Sequence, residues 1–460
     1  MSALTGFAAA FKAWQNAPGT EIIVDAITIK DRAGLESIAQ NPSGSYILTA
    51  DIDLGGEPWT PFEFSGSLDG AGHALLNLTI RDYDPVTAVS VDGNNKRYDT
   101  VFAALFSRTY GATIENLTLL GVDVDVTTDK NSFAAGLVGY AEGVQIKNCT
   151  VRGRVKLDMT GRMCGVAGVL GFGYSTVADC SVSVTLTLVD SNHEINCEEF
   201  MGAILATGYA DISGCGVYVR AYTSVYGYVH NGGIAGMYYV HTDDYDHNGF
   251  VKDNVVDAEI YFFEANIDRR AYCAPYVGER LNNLLRISDN TTTNFVNGET
   301  FDYSKTLFPE SCDRPEYTEK VAAPGCSTYG FTIYTCAFCN YTFDTAYTLP
   351  MHSSGEWITV RELPENTILR QQLCLVCGES LIEEEYRLPD PVQDIPVTPD
   401  EPQVEDESLP IVTEEPKTPP TEDVPGSDRD PSVGVMLLIL RVLLMALVII
   451  LPLARLLKRR

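Results

Sequence analysis

Two stretches of this chain have the spacing of a metal knuckle: Cys336-Ala337-Phe338-Cys339 and Cys374-Leu375-Val376-Cys377. Each offers two thiolates, and Gly378 follows the second, where the backbone must turn sharply. Together Cys336, Cys339, Cys374 and Cys377 predict a closed four-thiolate zinc site. Such a site is structural, because no coordination position stays open for a reactant. The gap, 374 − 339 = 35, exceeds that of a compact zinc ribbon, so disulfides and free thiols stay open as alternatives. Cys312, Cys326 and His352 lie in the same region. The chain has 12 cysteines without a chain-wide spacing, so their count does not identify a redox compartment.

Other reactive residues are scattered. No His-Glu-x-x-His occurs, since His193-Glu194 is followed by Ile195-Asn196-Cys197. Asp123, Asp125, Arg152 and Arg154 are the residues a polysaccharide lyase or hydrolase would have to use. They share the outward parity of their strands, which a solvated face explains. Asp51 and Asp53 read as outward strand residues, and Asp243 to Asp246 as a solvated loop, in preference to cation ligands. Tyr226, Tyr228, Tyr238 and Tyr239 suit sugar rings or ordinary edge packing. The net charge is −30, from 62 acids and 32 bases, which argues against a nucleic-acid partner.

The elements that must position these residues come from one phrase written five times. It is Ala103-Ala104-Leu105-Phe106, then Gly136-Leu137-Val138-Gly139, Gly168-Val169-Leu170-Gly171, Gly202-Ala203-Ile204-Leu205 and Gly233-Ile234-Ala235-Gly236. The steps are 136 − 104 = 32, 168 − 136 = 32, 202 − 168 = 34 and 233 − 202 = 31. A period near thirty marks a stacked repeat array. A second phrase trails the first: Asn116-Leu117-Thr118, Asn148-Cys149-Thr150, Asp179-Cys180-Ser181 and Gly214-Cys215-Gly216.

After the second phrase, apolar residues alternate. Cys180, Val182, Val184, Leu186 and Leu188 share one parity, while Ser181, Ser183, Thr185 and Thr187 take the other. Such strands bury one face. In the first copy the parity slips between Leu119 and Val122, and Gly121 predicts a bulge there. Short one-faced strands at a fixed coil length predict an all-β fold, a right-handed parallel β-helix. Leu78, Leu117, Cys149, Cys180 and Cys215 are expected to form one buried column. Each Leu or Val buried in it contributes about 1.5–3 kcal/mol. Its cysteines, about 4.8 Å apart, are expected as inert small hydrophobes, with a bridge as the alternative.

The run from Tyr46 to Ile80, with Asp51-Ile52-Asp53-Leu54 and Phe64-Ser65-Gly66-Ser67-Leu68-Asp69-Gly70 in order, resembles the GLUG-motif repeats of bacterial surface proteins. Those repeats also precede the peptidase domain of large secreted metallopeptidases that cleave immunoglobulin A. The resemblance covers roughly residues 40–260 and implies display or adhesion, with no proteolysis. The cysteine region resembles short Cys-x-x-Cys modules in surface proteins of gut anaerobes, which often place Cys-x-x-x-Gly ahead of Tyr-Thr-Cys-x-x-Cys. Cys326, Gly330 and Tyr334-Thr335-Cys336 follow that order.

The expected organisation is a cap over 1–45, repeats over 46–260 and the end of the β-helix over 261–309. A Cys-x-x-Cys module follows over 310–387, then a Pro-rich acidic stalk over 388–431, too poor in apolar residues to fold. Residues 432–454 read as one membrane span with Arg441 inside it, and 455–460 as a basic cytoplasmic tail. Met1 to Ala17 carries Lys12 as its one base and does not read as an export signal, which stands against the extracellular reading. The order of parts predicts a single-pass surface protein whose β-helix binds an extracellular glycan or protein and does not catalyse. A carbohydrate-active enzyme and a passive spacer are the alternatives.

Overall fold

In the computed structural model the described residues are 26–89, 97–190, 197–224, 227–238, 249–262, 271–280, 285–300, 316–337 and 342–389. The period-two pattern folds as read. From residue 97 onward the chain visits three sheets in a fixed order and then starts again. We call them sheet 1 (Asn131–Ala135, Met163–Ala167, Glu198–Gly202 and equivalents), sheet 2 (Val138–Lys147, Leu170–Ala178, Leu205–Ser213) and sheet 3 (Thr118–Thr128, Thr150–Met159, Ser181–Asp190, Gly216–Ser224). Neighbouring copies pair in parallel and in register, as in Val182↔Val217 and Val151↔Val182. Val86–Val89 against Tyr98–Ala103 is the antiparallel exception in the three sheets among the described residues. This coil-on-coil order is compatible with a β-helix.

Both repeated phrases are corners. The first joins sheet 1 to sheet 2. A Cβ on Gly136 would lie 2.5 Å from the Gly168 carbonyl oxygen, and one on Gly168 2.6 Å from that of Ala203. Successive coils touch backbone to backbone there, which is why glycine recurs. The second phrase joins sheet 2 to sheet 3 through one residue with positive φ: Asn116 (+53°), Asn148 (+51°), Asp179 (+55°), Gly214 (+67°), then Asp253 (+58°) and Asp289 (+56°). Asn, Asp and Gly are the residues that tolerate this region. Asn148 Nδ2 donates to Asn116 Oδ1 at 2.8 Å, so the corners also bond to one another.

The inward parity of sheet 3 is buried as expected, including Cys149, Val151, Val155 and Leu157, then Cys180, Val182, Val184, Leu186 and Leu188. The bulge falls between Leu120 and Val122, with Gly121 at φ +71°. One member of the predicted column is misplaced. Thr118 pairs Ala74, so His73 stands level with Leu117, whereas Leu78 is buried beside the bulge, level with Val122. The column is Leu117, Cys149, Cys180 and Cys215, and Asn254 continues it. Its three thiols are unbridged, and their Sγ atoms donate to the carbonyls of Lys147, Ala178 and Ser213 at 3.2–3.3 Å.

At the N-terminal end, Ile27–Ile29 pairs in parallel with Ser45–Leu48, and the helix Arg32–Ser37 between them seals the core with Leu35. Asp31 caps that helix through Gly34 N–H. At the other end the repeat phrase fades, but the coils continue to Thr291–Thr300.

Two small antiparallel sheets follow. Sheet 4 is Tyr317–Ala322, Gly330–Cys336 and Thr342–Thr348; sheet 5 is Ser354–Leu363, Thr367–Cys374 and Ser380–Arg387. Sheet 4 lies on the outward face of sheet 3. Tyr347 fills a patch of Ala74, Leu76 and Leu120, and its backbone N–H and C=O bond the Asn77 side chain at 2.9 Å each. The chain divides into Met1–Pro389 and Asp390–Arg460. The second unit, with all but the first two residues of the expected stalk and the whole expected span and tail, lies outside the described residues, as does Met1–Asp25. Among the described residues no helix is long and apolar enough to cross a membrane.

Candidate metal centre

The second knuckle is built where Thr367–Cys374 ends. Gly378 N–H returns to the Cys374 carbonyl at 2.9 Å, and Gly378 takes φ +76°, so the chain reverses within Cys374–Gly378. Val376 N–H points at Cys374 Sγ, 3.4 Å away. Backbone N–H groups of Cys377 and Val376 favour the Cys374 thiolate and pull its pKa down to about 5.

Two further residues converge on this turn. Cys326 comes from the loop joining the first two strands of sheet 4, and His352 from the connector between sheets 4 and 5. Cys326 Sγ lies 3.5 Å from Cys374 Sγ, and His352 Nδ1 lies 3.4 Å from Cys377 Sγ. All four donor atoms are within 4.8 Å of one another. A tetrahedral zinc with Zn–S of about 2.3 Å and Zn–N of about 2.0–2.1 Å has edges of about 3.8 Å between sulfurs and about 3.6 Å from sulfur to nitrogen. The cluster has that size and can hold a metal ion. His352 Nε2, the nitrogen turned away, faces Glu379 Oε2 at 3.7 Å, where a carboxylate would orient a ligating ring.

The structure thus brings together two of the four thiols predicted as ligands, Cys374 and Cys377. Cys336 is buried at the far end of Gly330–Cys336, whose opposite end adjoins the Cys326 loop. Six steps of about 3.3 Å put these ends about 20 Å apart. Cys339 lies outside the described residues, as does Cys312. Cys326 and His352 carry no knuckle spacing of their own. The available signal was the Cys-x-x-x-Gly phrase, together with the rule that alternate turns of an antiparallel meander fall at opposite ends.

The remaining candidates are engaged elsewhere. Asp51 accepts bonds from Ala74 N–H at 2.9 Å and, at 2.8 Å, from the hydroxyl of Tyr329 in the loop that precedes Gly330–Cys336, with His73 Nδ1 at 3.1 Å. Asp53 accepts from Gly55 N–H and Asn77 Nδ2, both at 2.8 Å. Asp123 is gripped by Arg154 at 2.7 and 2.9 Å and by Arg81. Burial raises its pKa, but the two guanidiniums outweigh that and leave it below the ordinary carboxylate value. Arg152 pairs Asp344 of sheet 4 at 2.7 Å, Asp125 lies 3.8 Å from Lys156, and Arg154 stacks 4.7 Å over the Phe343 ring. Tyr238 is buried and Tyr228 is exposed on its strand; Tyr226, Tyr239, His193-Glu194 and Asp243 to Asp246 lie outside the described residues.

No protein-family model and no curated protein sequence matches the chain. Among solved structures it is similar to a "putative immunoglobulin A1 protease" from Bacteroides ovatus, at 13% identity and a TM-score of 0.37, over 61% of this chain and 80% of that one.

Proposed function

We propose that the chain is a membrane-anchored surface protein whose right-handed parallel β-helix holds out an extended face to an extracellular glycan or protein ligand, without catalysis. The observation that carries this reading is the use made of the outward charges on sheet 3. Of the residues an enzyme would need in a cleft, Arg154 clamps Asp123 and stacks on Phe343, and Arg152 pairs Asp344, so these charges seat sheet 4. A carboxylate held between two guanidiniums is a poor general acid, because its proton leaves well below neutral pH. Anchoring rests on the apolar span 432–454 and basic tail 455–460 of the sequence.

The intact chain, screened against arrays of glycans and matrix proteins with product release followed in parallel, tests this. Binding without turnover is the expected result. Release of sugar products would replace it with a carbohydrate-active enzyme, and silence on every array would leave a spacer.

A further inference from the structure

We infer that Cys326, His352, Cys374 and Cys377 form the joint that fixes sheet 5 to sheet 4, holding a thiophilic divalent cation of the zinc class. The inference stands apart from the ligand-binding reading and does not need it.

The ligands are divided across the joint. Cys326 belongs to a turn of sheet 4, His352 to the connector, and Cys374 and Cys377 to sheet 5. The backbone follows the same path: Met351 N–H reaches the Gly325 carbonyl at 3.0 Å, and Leu375 N–H that of Ser353 at 2.8 Å. Four metal bonds would cross at the point where these two hydrogen bonds already bring loop, connector and knuckle together.

Sheet 5 needs such support because it has almost no interior. Cys374 is its one buried residue among the described ones, while Ile358, Val360 and Ile382 are 44–47% exposed. Its own cohesion is a surface stack, with the Arg370 guanidinium 4.3 Å from the Trp357 ring and 3.6 Å from Tyr386, bonded to Glu384 at 2.8 Å. Three strands without a hydrophobic face are marginal alone. Metal binding energy becomes folding energy where the ligands meet only in the folded state. Cys326, Cys374 and Cys377 each give up a thiol proton on binding, and His352 binds as neutral imidazole through Nδ1. The donor set, three sulfurs and one nitrogen, selects a soft or borderline ion over calcium or magnesium.

The test is amide hydrogen exchange on the full chain, reduced and stripped of metal, before and after zinc is added. Zinc should slow exchange in Ser354–Leu363, Thr367–Cys374 and Ser380–Arg387 by at least about tenfold, as for any ligand that binds the folded form alone. Exchange in Thr150–Met159 should stay unchanged and so report that the array is folded in every variant. Cys326→Ser and His352→Ala should abolish the zinc-dependent protection, and Cys336→Ser should keep it. The inference is overturned if zinc leaves sheet 5 unchanged, or if Cys336→Ser abolishes the protection while Cys326→Ser keeps it. A Cys326–Cys374 disulfide in the unreduced chain, found by peptide mass mapping, would also overturn it.

Discussion

Asp123 shows how a single residue sets acid stability here. It accepts from Arg154 and Arg81, and these hold its pKa below the ordinary value near 3.8. A carboxyl with a depressed folded-state pKa binds fewer protons folded than unfolded. Its stabilisation is therefore complete above about pH 4 and is lost as pH falls through the folded value. Asp123→Asn should lower the melting temperature at neutral pH and flatten its decline below pH 4. A variant with the wild-type acid profile would show that the clamp contributes nothing. That Asp123 faces outward was legible from its parity with Asp125. Its arginine partners were not, because Arg81 and Arg154 lie 42 and 31 residues away and meet it through coil register alone.

At the scale of elements, the corner before sheet 3 sets the register of every coil. Its residue must hold a positive φ, which costs a residue with a Cβ about 1–2 kcal/mol unless a short polar side chain bonds locally. Asn148→Gly and Asn148→Val both remove the bond to Asn116, but only valine adds the strain of a β-branched side chain at positive φ, so Asn148→Val should be less stable than Asn148→Gly by about 1–3 kcal/mol. Denaturant midpoints decide this, and equal midpoints for the two variants would count against it. The alternation of the strands, the slip at Gly121 and the two corners were legible because each is a local rule. The column position of Leu78 was not, because the first coil is longer than the repeat: its pairing offset is 118 − 74 = 44 residues against 150 − 118 = 32 in the next, which sets His73 beside Leu117. The metal cluster was legible in part. Spacing identified the knuckle at Cys374 and Cys377, but the antiparallel turns of sheet 4 decide that Cys326, and not Cys336, meets it.

For the whole molecule, the site where sheet 4 docks matters most. It sits on Thr118–Thr128, five strands back from Thr291–Thr300 in the order of sheet 3, about 24 Å along the stack. Nothing in the composition announces this return; it depends on Leu76 and Leu120 facing outward and needing a cover. Tyr347→Ala should release sheet 4, since losing a buried aromatic costs about 3–5 kcal/mol. Proteolysis should then cut within residues 316–348 while the array keeps its melting temperature. Cleavage no faster than in the wild type would mean that other contacts hold the sheet.

The claim beneath all of these is that successive repeats lie one strand apart, in register. Ser67, Thr113, Gln145, Thr176 and Asp211 occupy equivalent places on five consecutive strands of sheet 2. Spin labels introduced as unnatural amino acids, one at Ser67 and the other at Gln145, Thr176 or Asp211, measure the spacing by dipolar coupling. The separation should grow by about 4.8 Å per copy, reaching about 19 Å between backbones at Asp211. Distances that fail to rise steadily with copy number would contradict the ladder and everything built on it.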